Sequence, residues 1–360
     1  MTDHIPESPA ELGWDPFFDN NFRKYSIPGG VPCRVTSQFR DSCRIHTGHH
    51  EFPAVISGRM RYSSTDFPAT GDWVIAVLYP ETGQAVIHAV LPRKSAFSRK
   101  AAGLKAEEQI VATNVDTVFI VTALDGDNFN PRRLERYLTM AWKSGASPVF
   151  VMNKADLCPD TDSFIRQTEE TAMGVPVYAV SAIEKTGLDC LKQHIGFGQT
   201  AAFMGSSGVG KSALINAILG NERQLTRETS PFEHKGRHTT TYRELILLPG
   251  SGMVIDTPGM KEIGMWGDES ALTAAFEDIE ALARECRFND CTHENEPGCA
   301  VRDAIENGKL APERYRSYLK LRKELRFNAE REDKSLRQIE QLRWKKIARS
   351  ANTILKNKYK

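Results

Sequence analysis

Residues 205–212 read GSSGVGKS, a stretch in which glycines alternate with small residues and end at a lysine and a serine. Glycines let a backbone turn tightly enough for successive N–H groups to point at phosphate oxygens. We expect the lysine to reach the β- and γ-phosphates of a nucleotide and the serine hydroxyl to bind Mg²⁺. The residues assigned to this phosphate loop are Gly205, Ser206, Ser207, Gly208, Val209, Gly210, Lys211, Ser212 and Ala213.

A second short stretch, NKAD at 153–156, follows the apolar run PVFVM. The Asp156 carboxylate can accept two hydrogen bonds from N1–H and the exocyclic amine of guanine, whereas adenine offers no such pair of donors. We expect Asn153 to brace the loop and Lys154 to lie along the base plane. Ser181 and Ala182 follow another strand-like run, where a backbone amide can meet the guanine carbonyl. Taken alone, a four-residue string also fits an ordinary surface turn.

Two further stretches fit the γ-phosphate side of a GTP site. DTPG at 256–259 predicts that Asp256 holds Mg²⁺ through water and that Gly259 lets an N–H approach the γ-phosphate. GRHTTT at 236–241 lies between the phosphate loop and DTPG, where a magnesium-sensing switch threonine belongs, and we assign that role to Thr240 among the three threonines. The alternative for GRHTTT is a polar loop without a ligand.

Met260 occupies the position after the DTPG glycine, where many GTPases place a water-orienting glutamine. A thioether cannot hold a water molecule usefully, so we expect slow hydrolysis by the isolated protein. Our hypothesis is that His238 orients or deprotonates the water once a partner fixes its loop, which makes His238, Lys211 and Thr240 the candidate catalytic residues. The alternative for His238 is a plain loop histidine.

A cluster of soft ligands follows these motifs. Cys286, Cys291, His293 and Cys299 form the pattern C-x4-C-x-H-x5-C. A Cys3His set fits one closed, structural Zn²⁺ site per chain, with no open position for a catalytic water. The alternative is chance clustering of reduced cysteines.

The elements around these motifs predict a multidomain chain. Short alternating runs between about 35 and 98, punctuated by Gly, Pro and Asp, predict an N-terminal OB-like barrel of five strands. From about 105, apolar strands alternate with helical stretches, which predicts a parallel sheet covered by helices. We expect an N-terminal extension at 1–34, an RNA-binding OB-fold domain at 35–100, an α/β P-loop GTPase domain at 101–267, and a zinc-binding helical domain with a basic C-terminal arm at 268–360.

The order of the motifs is unusual, because the base loop precedes the phosphate loop. In a parallel sheet the ligand lies at the C-terminal ends of several strands, so the site depends on where the strands lie in space. Joining the old termini and cutting at an exposed loop preserves such a site. The sequence therefore predicts a circularly permuted domain, cut just after the second switch.

Charge is distributed unevenly along the 360 residues. The net charge is +1, yet residues 311–360 carry 16 Lys and Arg against 6 Asp and Glu, which suits contact with an RNA backbone. Barrel arginines interleaved with Phe39 and Tyr62 also suit RNA, namely Arg34, Arg40, Arg44, Arg59, Arg61 and Arg93. We find no signal segment, membrane span or disulfide framework, and expect a cytoplasmic monomer with no membrane partner.

The permuted order of NKAD, GSSGVGKS, GRHTTT and DTPGM closely resembles the RsgA/YjeQ family of bacterial circularly permuted GTPases. The stretch VLPRKSAFSRKAAG looks like that family's join between barrel and GTPase domain, and the cysteine cluster falls where the family carries zinc. The resemblance implies GTP and GDP as ligands, the maturing small (30S) ribosomal subunit and its rRNA as partners, and a late assembly role ended by GTP hydrolysis. It also suggests the catalytic role for His238.

A second class of function remains open at this stage. In that alternative the chain is an rRNA-binding translation regulator in which nucleotide sets a conformation and hydrolysis is incidental. A third, signalling to a protein or membrane partner, has no amphipathic anchor or lipidation motif to support it. RNA binding that is sensitive to salt and indifferent to nucleotide favours the regulator over the GTPase.

Overall fold

The computed structural model describes residues 6, 8–39, 42–63, 66–100, 108–125, 129–172, 174–220, 243–248, 250–256, 270–288, 290–293 and 296–323. These residues fall into two compact units. The first consists of Met1–Ser98 and Ile110–Ile263, and the second of Arg99–Gln109 and Gly264–Lys360. The expected division at 34/35, 100/101 and 267/268 stays a prediction.

The N-terminal part of the first unit is a five-stranded barrel, which confirms the predicted fold class. Its strands are β1 (Gly30–Gln38), β2 (Cys43–His46), β3 (Glu51–Ile56), β4 (Trp73–Tyr79) and β5 (Gln84–Val90). They pair in the order β1-β2-β3-β5-β4, and β4 pairs back with β1, which closes the barrel. The β3–β5 pair is parallel and the others are antiparallel. Alternate inward residues such as Cys33, Val35, Ile45 and Ile87 form its apolar core.

The segment before the barrel is folded onto it. Helix α1 (Pro16–Phe22) begins with the Asp15 side chain accepting from the Phe17 and Phe18 N–H groups. Trp14 meets Trp73 of β4 edge-to-face at 4.7 Å, and Phe18 is buried beside it. The second barrel helix, α2 (Gly58–Ser63), follows β3.

The rest of the first unit carries the nucleotide motifs on a mostly parallel sheet. The strands of this sheet are β8 (Thr117–Ala123), β9 (Ser147–Asn153), β10 (Val177–Ala179), β11 (Thr200–Gly205), β12 (Arg243–Leu247) and β13 (Met253–Asp256). The order is β10-β9-β8-β11-β13-β12, with all neighbours parallel except β13 and β12. The helices among these strands are α3 (Pro131–Ser144), the 3-10 turn Ala155–Leu157, α4 (Thr161–Thr171), α5 (Leu188–Lys192) and α6 (Lys211–Leu219). A separate two-stranded sheet is formed by β6 (Ala96–Lys100) and β7 (Glu108–Thr113), whose residues 99–100 and 108–109 are assigned to the second unit.

Strand β12 also pairs with barrel strand β1, so one hydrogen-bonded sheet runs from the GTPase part into the barrel. Ser37 opposes Glu244 and Gln38 opposes Arg243 in an antiparallel ladder. The Thr70 hydroxyl adds a bond to the Arg243 carbonyl at 3.3 Å. The barrel is therefore joined to the strand that directly follows residues 221–242.

From residue 270 onward, the second unit is helical where the structure describes it. It contains α7 (Ser270–Ala275), α8 (Glu277–Arg284), α9 (Ala300–Glu306) and helical residues 312–323. Arg314 forms a two-pronged ion pair with Asp278 at 2.7 and 2.8 Å and lies over the Phe276 ring. Tyr318 donates to Glu280 at 2.8 Å. These contacts fasten 312–323 to α8, and the buried side chains of Tyr315, Tyr318 and Leu321 form the packing stripe that their spacing predicts.

Candidate functional site

The phosphate loop connects β11 to α6 and is packed tightly against its neighbours. Gly205 has φ 152°, and a Cβ there would come within 2.2 Å of the Val121 carbonyl oxygen. Gly210 has φ 91°, and a Cβ there would come within 2.2 Å of the Asn153 amide nitrogen. Because only glycine tolerates both the left-handed backbone and this close approach, these two positions fix the loop beside β8 and β9.

Lys211, the first residue of α6, folds back over the loop. Its Nζ donates to the carbonyl oxygens of Gly205 at 2.8 Å and Ser206 at 2.6 Å. An ammonium group held by two carbonyls has little freedom to turn away from the loop. The cation predicted to meet phosphates is therefore held at the loop by the loop's own backbone.

Asn153 links three loops through one buried side chain. Its Nδ2 donates to the Val209 carbonyl at 2.8 Å, in the phosphate loop. Its Oδ1 accepts from the Ala182 N–H at 3.2 Å, in the loop after β10. The side chain is 2% exposed, so both bonds are shielded from water. This geometry is that of a brace between the base-side and phosphate-side loops.

Lys154 and Asp156 lie in the turn after β9. Lys154 has φ 62°, and its Nζ pairs with Asp125 Oδ2 at 2.7 Å. Asp156 is exposed to solvent in the 3-10 turn. Asp125 was missed by the sequence reasoning, although it lies two residues after the end of β8, close to the nucleotide edge. Its carboxylate holds the lysine at the carboxyl edge of the sheet.

The loop after β10 is a tight turn. Ser181 is fully buried, its backbone bridges to Thr186, and its hydroxyl accepts from the Glu184 N–H at 3.1 Å. The Ala182 N–H, one candidate donor to guanine, is taken by Asn153 in this structure. The turn nonetheless lies beside the Asn153 loop, as the sheet order β10-β9 requires.

The magnesium and switch residues are only partly within the described residues. Ser212 lies in the first turn of α6, and Asp256 ends β13, whose neighbour in the sheet is β11. Both therefore follow adjacent strands at one edge of the sheet. His238, Thr240 and Gly259 lie outside the described residues, as does Met260.

Two residues of α3 contact the phosphate loop and were not expected from the sequence. Arg133 Nη1 donates to the Ser206 hydroxyl at 2.7 Å. The Tyr137 hydroxyl lies 3.4 Å from the same oxygen. The signal available in the sequence was a helix whose charged first turn follows a strand that ends at the nucleotide edge.

The cysteine cluster in the second unit brings its four predicted ligands together. The ligand atoms of Cys286, Cys291, His293 and Cys299 lie within 4.8 Å of one another. Nδ1 of His293 is 3.5 Å from Cys286 Sγ and 3.4 Å from Cys299 Sγ, and the two sulfurs are 3.9 Å apart. A tetrahedral zinc ion separates its ligands by about 3.6 Å for sulfur and nitrogen and about 3.8 Å for two sulfurs. The cluster is compatible with a closed zinc site.

The barrel arginines divide into surface and buried residues, which corrects part of the RNA prediction. Arg59 and Arg61 are exposed near Tyr62, which is 92% exposed. Arg34 is 1% exposed, donates to the Asn114 carbonyl and the Thr200 hydroxyl, and lies over the Trp73 ring. Burial lowers the pKa of Arg34 to about 10, against the opposing effect of nearby carboxylates.

Arg93 is also a structural residue. Its guanidinium is bonded to Asp72 at 2.7 and 2.8 Å and to Asp66 at 2.6 Å. Its side chain is 12% exposed, because the two carboxylates and the Phe67 carbonyl cover it. Both guanidinium groups are engaged within the protein, Arg34 with Asn114 and Thr200 and Arg93 with residues 66–72 before β4, so neither is a surface cation for RNA.

Comparison with known proteins gives one consistent result. The family model described as RsgA GTPase matches residues 90–266. A small ribosomal subunit biogenesis GTPase RsgA from Opitutus terrae is 47% identical, over 94% of this chain and 95% of that protein. The chain belongs to the RsgA GTPase family. It is therefore a GTP hydrolase, and Mg²⁺ with GTP is the cofactor that the family implies.

Solved structures agree with this assignment. The crystal structure of YjeQ from Thermotoga maritima has a TM-score of 0.62 and 28% identity, and the match covers 82% of this chain and 98% of that one. YloQ, described as a circularly permuted GTPase, has a TM-score of 0.58 and 23% identity, over 85% of this chain and 96% of that one. The second likeness shows the fold, which confirms the permuted order. Among the described residues, no helix is long and apolar enough to cross a membrane.

Proposed function

We propose that this chain binds the maturing small ribosomal subunit, acts late in its assembly, and hydrolyses GTP to drive its own release. The observation that carries the proposal is the 47% identity, over nearly the whole of both chains, to a protein named small ribosomal subunit biogenesis GTPase. We also propose that the protein acts in the cytoplasm as a monomer, with GTP, GDP and rRNA as its ligands.

Guanine selection rests on Asp156, with Lys154 and Asn153 in support. The ion pair with Asp125 holds Lys154, and the two hydrogen bonds of Asn153 to Val209 and Ala182 hold Asn153. Asp156 is exposed, so its carboxylate can pair with the N1–H and amine of guanine. The turn at Ser181 and Ala182 closes the other side of the base.

The loop from Gly205 to Ala213 binds the phosphates. Its glycines allow the backbone N–H groups to face an anion at the start of α6, and Lys211 supplies a cation there. Ser212, Thr240 and Asp256 are the oxygen ligands assigned to Mg²⁺, a hard cation whose charge offsets that of the phosphates. Gly259 is assigned to the γ-phosphate.

Hydrolysis needs a water molecule oriented toward the γ-phosphate, and the thioether of Met260 cannot orient one. We assign that task to His238, in residues 236–241, which precede β12. Because β12 is hydrogen-bonded to barrel strand β1, a partner that holds the barrel can bias the chain segment carrying His238. The small subunit is that partner, so turnover is expected to be stimulated by it.

A structural zinc ion, one per chain, is proposed for Cys286, Cys291, His293 and Cys299. The ligand spacing fits tetrahedral geometry, and the described part of the second unit is small and charged. The zinc-bound unit and its basic arm at 311–360 provide one contact to rRNA. The exposed barrel residues Arg59, Arg61 and Tyr62 provide another.

The test is sedimentation of the chain with purified small subunits in the presence of GTP, GDP or a non-hydrolysable GTP analogue. We expect retention with the analogue and release with GTP or GDP. For His238→Ala, we expect analogue affinity near that of the wild type, with retention in GTP. Release of the wild type in the analogue would show that hydrolysis does not drive release. Binding that ignores nucleotide altogether would favour the rRNA-binding regulator.

A further inference from the structure

The contact between α3 and the phosphate loop involves a permanent cation. Helix α3 is capped by Asn130, whose Oδ1 accepts from the Arg133 N–H at 3.3 Å. The Arg133 guanidinium then reaches across to Ser206 Oγ at 2.7 Å, while Tyr137, one turn later on the same helix face, lies 3.4 Å from that oxygen. One hydroxyl of the loop is thus held by two side chains of a neighbouring helix.

Ser206 is also held through its backbone. Its carbonyl oxygen accepts from Lys211 Nζ at 2.6 Å, next to the Gly205 carbonyl at 2.8 Å. A guanidinium can only donate, so the Ser206 hydroxyl accepts from Arg133 and offers its own proton to another oxygen. The contacts form a continuous series: Arg133 fixes the side chain of Ser206, and the backbone of Ser206 fixes Lys211.

The charge of this series matters for a nucleotide. A hydrogen bond from an ionised donor is stronger than one between neutral groups, and arginine stays charged at all accessible pH values. The phosphate loop holds the Lys211 ammonium group against the carbonyls of Gly205 and Ser206. Arg133, anchored on α3, binds the Ser206 side chain and so restricts movement of the loop. Neither Arg133 nor Ser206 is demanded by the glycine and lysine pattern of the loop.

We propose that Arg133 is a positioning residue for GTP binding, which acts through Ser206 to hold Lys211 toward the β- and γ-phosphates. The proposal rests on the assignment of GSSGVGKS as the phosphate loop. Since the lysine of such a loop serves both the β- and γ-phosphates, loss of the contact weakens GTP binding more than GDP binding.

The experiment measures GTP and GDP dissociation constants, and the kcat and KM of GTP turnover, for Arg133→Ala, Arg133→Lys and Ser206→Ala. The matched control is Arg132→Ala, because Arg132 is exposed on the same helical turn. We expect Arg133→Ala to weaken GTP binding and raise KM about tenfold, and to weaken GDP binding about twofold. Arg133→Lys should recover part of the loss, because it keeps a cationic donor.

The double variant Arg133→Ala with Ser206→Ala makes the test specific to the contact. If Arg133 acts through Ser206, the double variant should lose no more GTP affinity than Arg133→Ala alone. Additive losses, equal losses for GTP and GDP, or wild-type affinity in both single variants would overturn the proposal. If Arg133→Ala does not fold, the proposal is still overturned by wild-type GTP affinity in Ser206→Ala and Arg133→Lys, or by equal losses for GTP and GDP in these two variants. Failure of the wild type to bind GTP would instead overturn the phosphate-loop assignment itself.

Discussion

The nucleotide edge and the cysteine cluster are held in place by different physical means. At the nucleotide edge, the loops extend from the ends of strands that share one apolar core. Its residues include Phe119, Val151, Phe203 and Val254. Buried polar contacts such as those of Asn153 then join the loops to each other. In the described part of the second unit, short helices are joined by ion pairs and by four ligand side chains that converge within 4.8 Å.

The two units therefore differ in what stabilises them. A parallel sheet buried on both faces contributes enough hydrophobic free energy to hold loops without a ligand. The described part of the second unit has its own buried side chains, such as Phe276, Val301 and Tyr318, but it is smaller and mostly helical, so a metal contributes a larger share of its stability. We therefore expect nucleotide recognition to be independent of zinc and attachment to RNA to depend on it.

The largest expected effect is that of metal removal. Chelation, or Cys299→Ser, should remove one zinc per chain and unfold the second unit, because apparent zinc binding energies of about 10–16 kcal/mol act as folding energy. Metal analysis and helical circular dichroism measure the loss, and Cys190→Ser, in the first unit, is the control. Nucleotide affinity should change by less than about twofold. A parallel fall in GTP affinity would remove the distinction between the units.

The next largest effect is a change of base preference at the nucleotide edge. Asp156→Asn replaces an acceptor by a donor, so guanine loses its paired bond while xanthine, with a carbonyl at that position, gains one. We expect GTP affinity to fall about a hundredfold and XTP affinity to rise, as measured by competition binding. Asp162→Asn, an exposed acid on α4, should change neither. An unchanged preference would show that Asp156 does not read the base.

A smaller effect is expected from loss of the brace. Asn153→Ala leaves the Val209 carbonyl and the Ala182 N–H without their partner, which costs about 1–3 kcal/mol of stability. GTP and GDP affinities should both fall about tenfold, since the phosphate loop and the loop after β10 are no longer held in position by the same side chain. Asn21→Ala, which removes only a solvent-exposed hydrogen bond within α1, serves as the control in binding and urea unfolding. Wild-type affinity would mean that the core alone fixes the loops.

The smallest effect is a pH dependence in the barrel. Burial lowers the pKa of His46 below its usual 6.5, and Nδ1 accepts from the Gly48 N–H at 3.0 Å. As the pH falls, His46 takes up a proton in the unfolded chain at a higher pH than in the folded chain. Its contribution to the free energy of unfolding is therefore complete above pH 6.5 and is lost as the pH falls below that value. Urea unfolding at pH 7.5 and 5.5 should show that wild type loses slightly more stability than His46→Asn between these two pH values. His49→Asn should retain the wild-type dependence, and equal slopes for wild type and His46→Asn would contradict the assignment.

Much of the fold could be predicted from the sequence, because local signals determine it. The runs AVISG, DWVIAVLY and QAVIHAVLP overlap β3, β4 and β5, and the alternation after 105 is the parallel sheet. The permuted order followed from motif order alone, and NKAD, GSSGVGKS and DTPG each begin at the last residue of a strand. The four zinc ligands were visible as spacing, and the structure brings them together.

Pairings between distant residues could not be predicted in the same way. Arginine is usually a surface residue, yet Arg34 packs on Trp73 and Arg93 pairs with Asp72. The Asp125–Lys154 pair and the Arg133–Ser206 bond join residues whose proximity exists only once the sheet is assembled. The β1–β12 ladder likewise depends on tertiary packing, because neither strand's pattern names its partner.

The most direct test of the account is GTP turnover by the purified chain alone, with small subunits, with large subunits and with bare rRNA, using ATP as the negative control. We expect slow turnover by the chain alone and a large stimulation by small subunits only, since residue 260 is a methionine and the missing catalytic help must come from a partner-fixed loop. Equal, slow turnover in every mixture would contradict it and would leave a nucleotide-binding protein without a subunit-driven cycle.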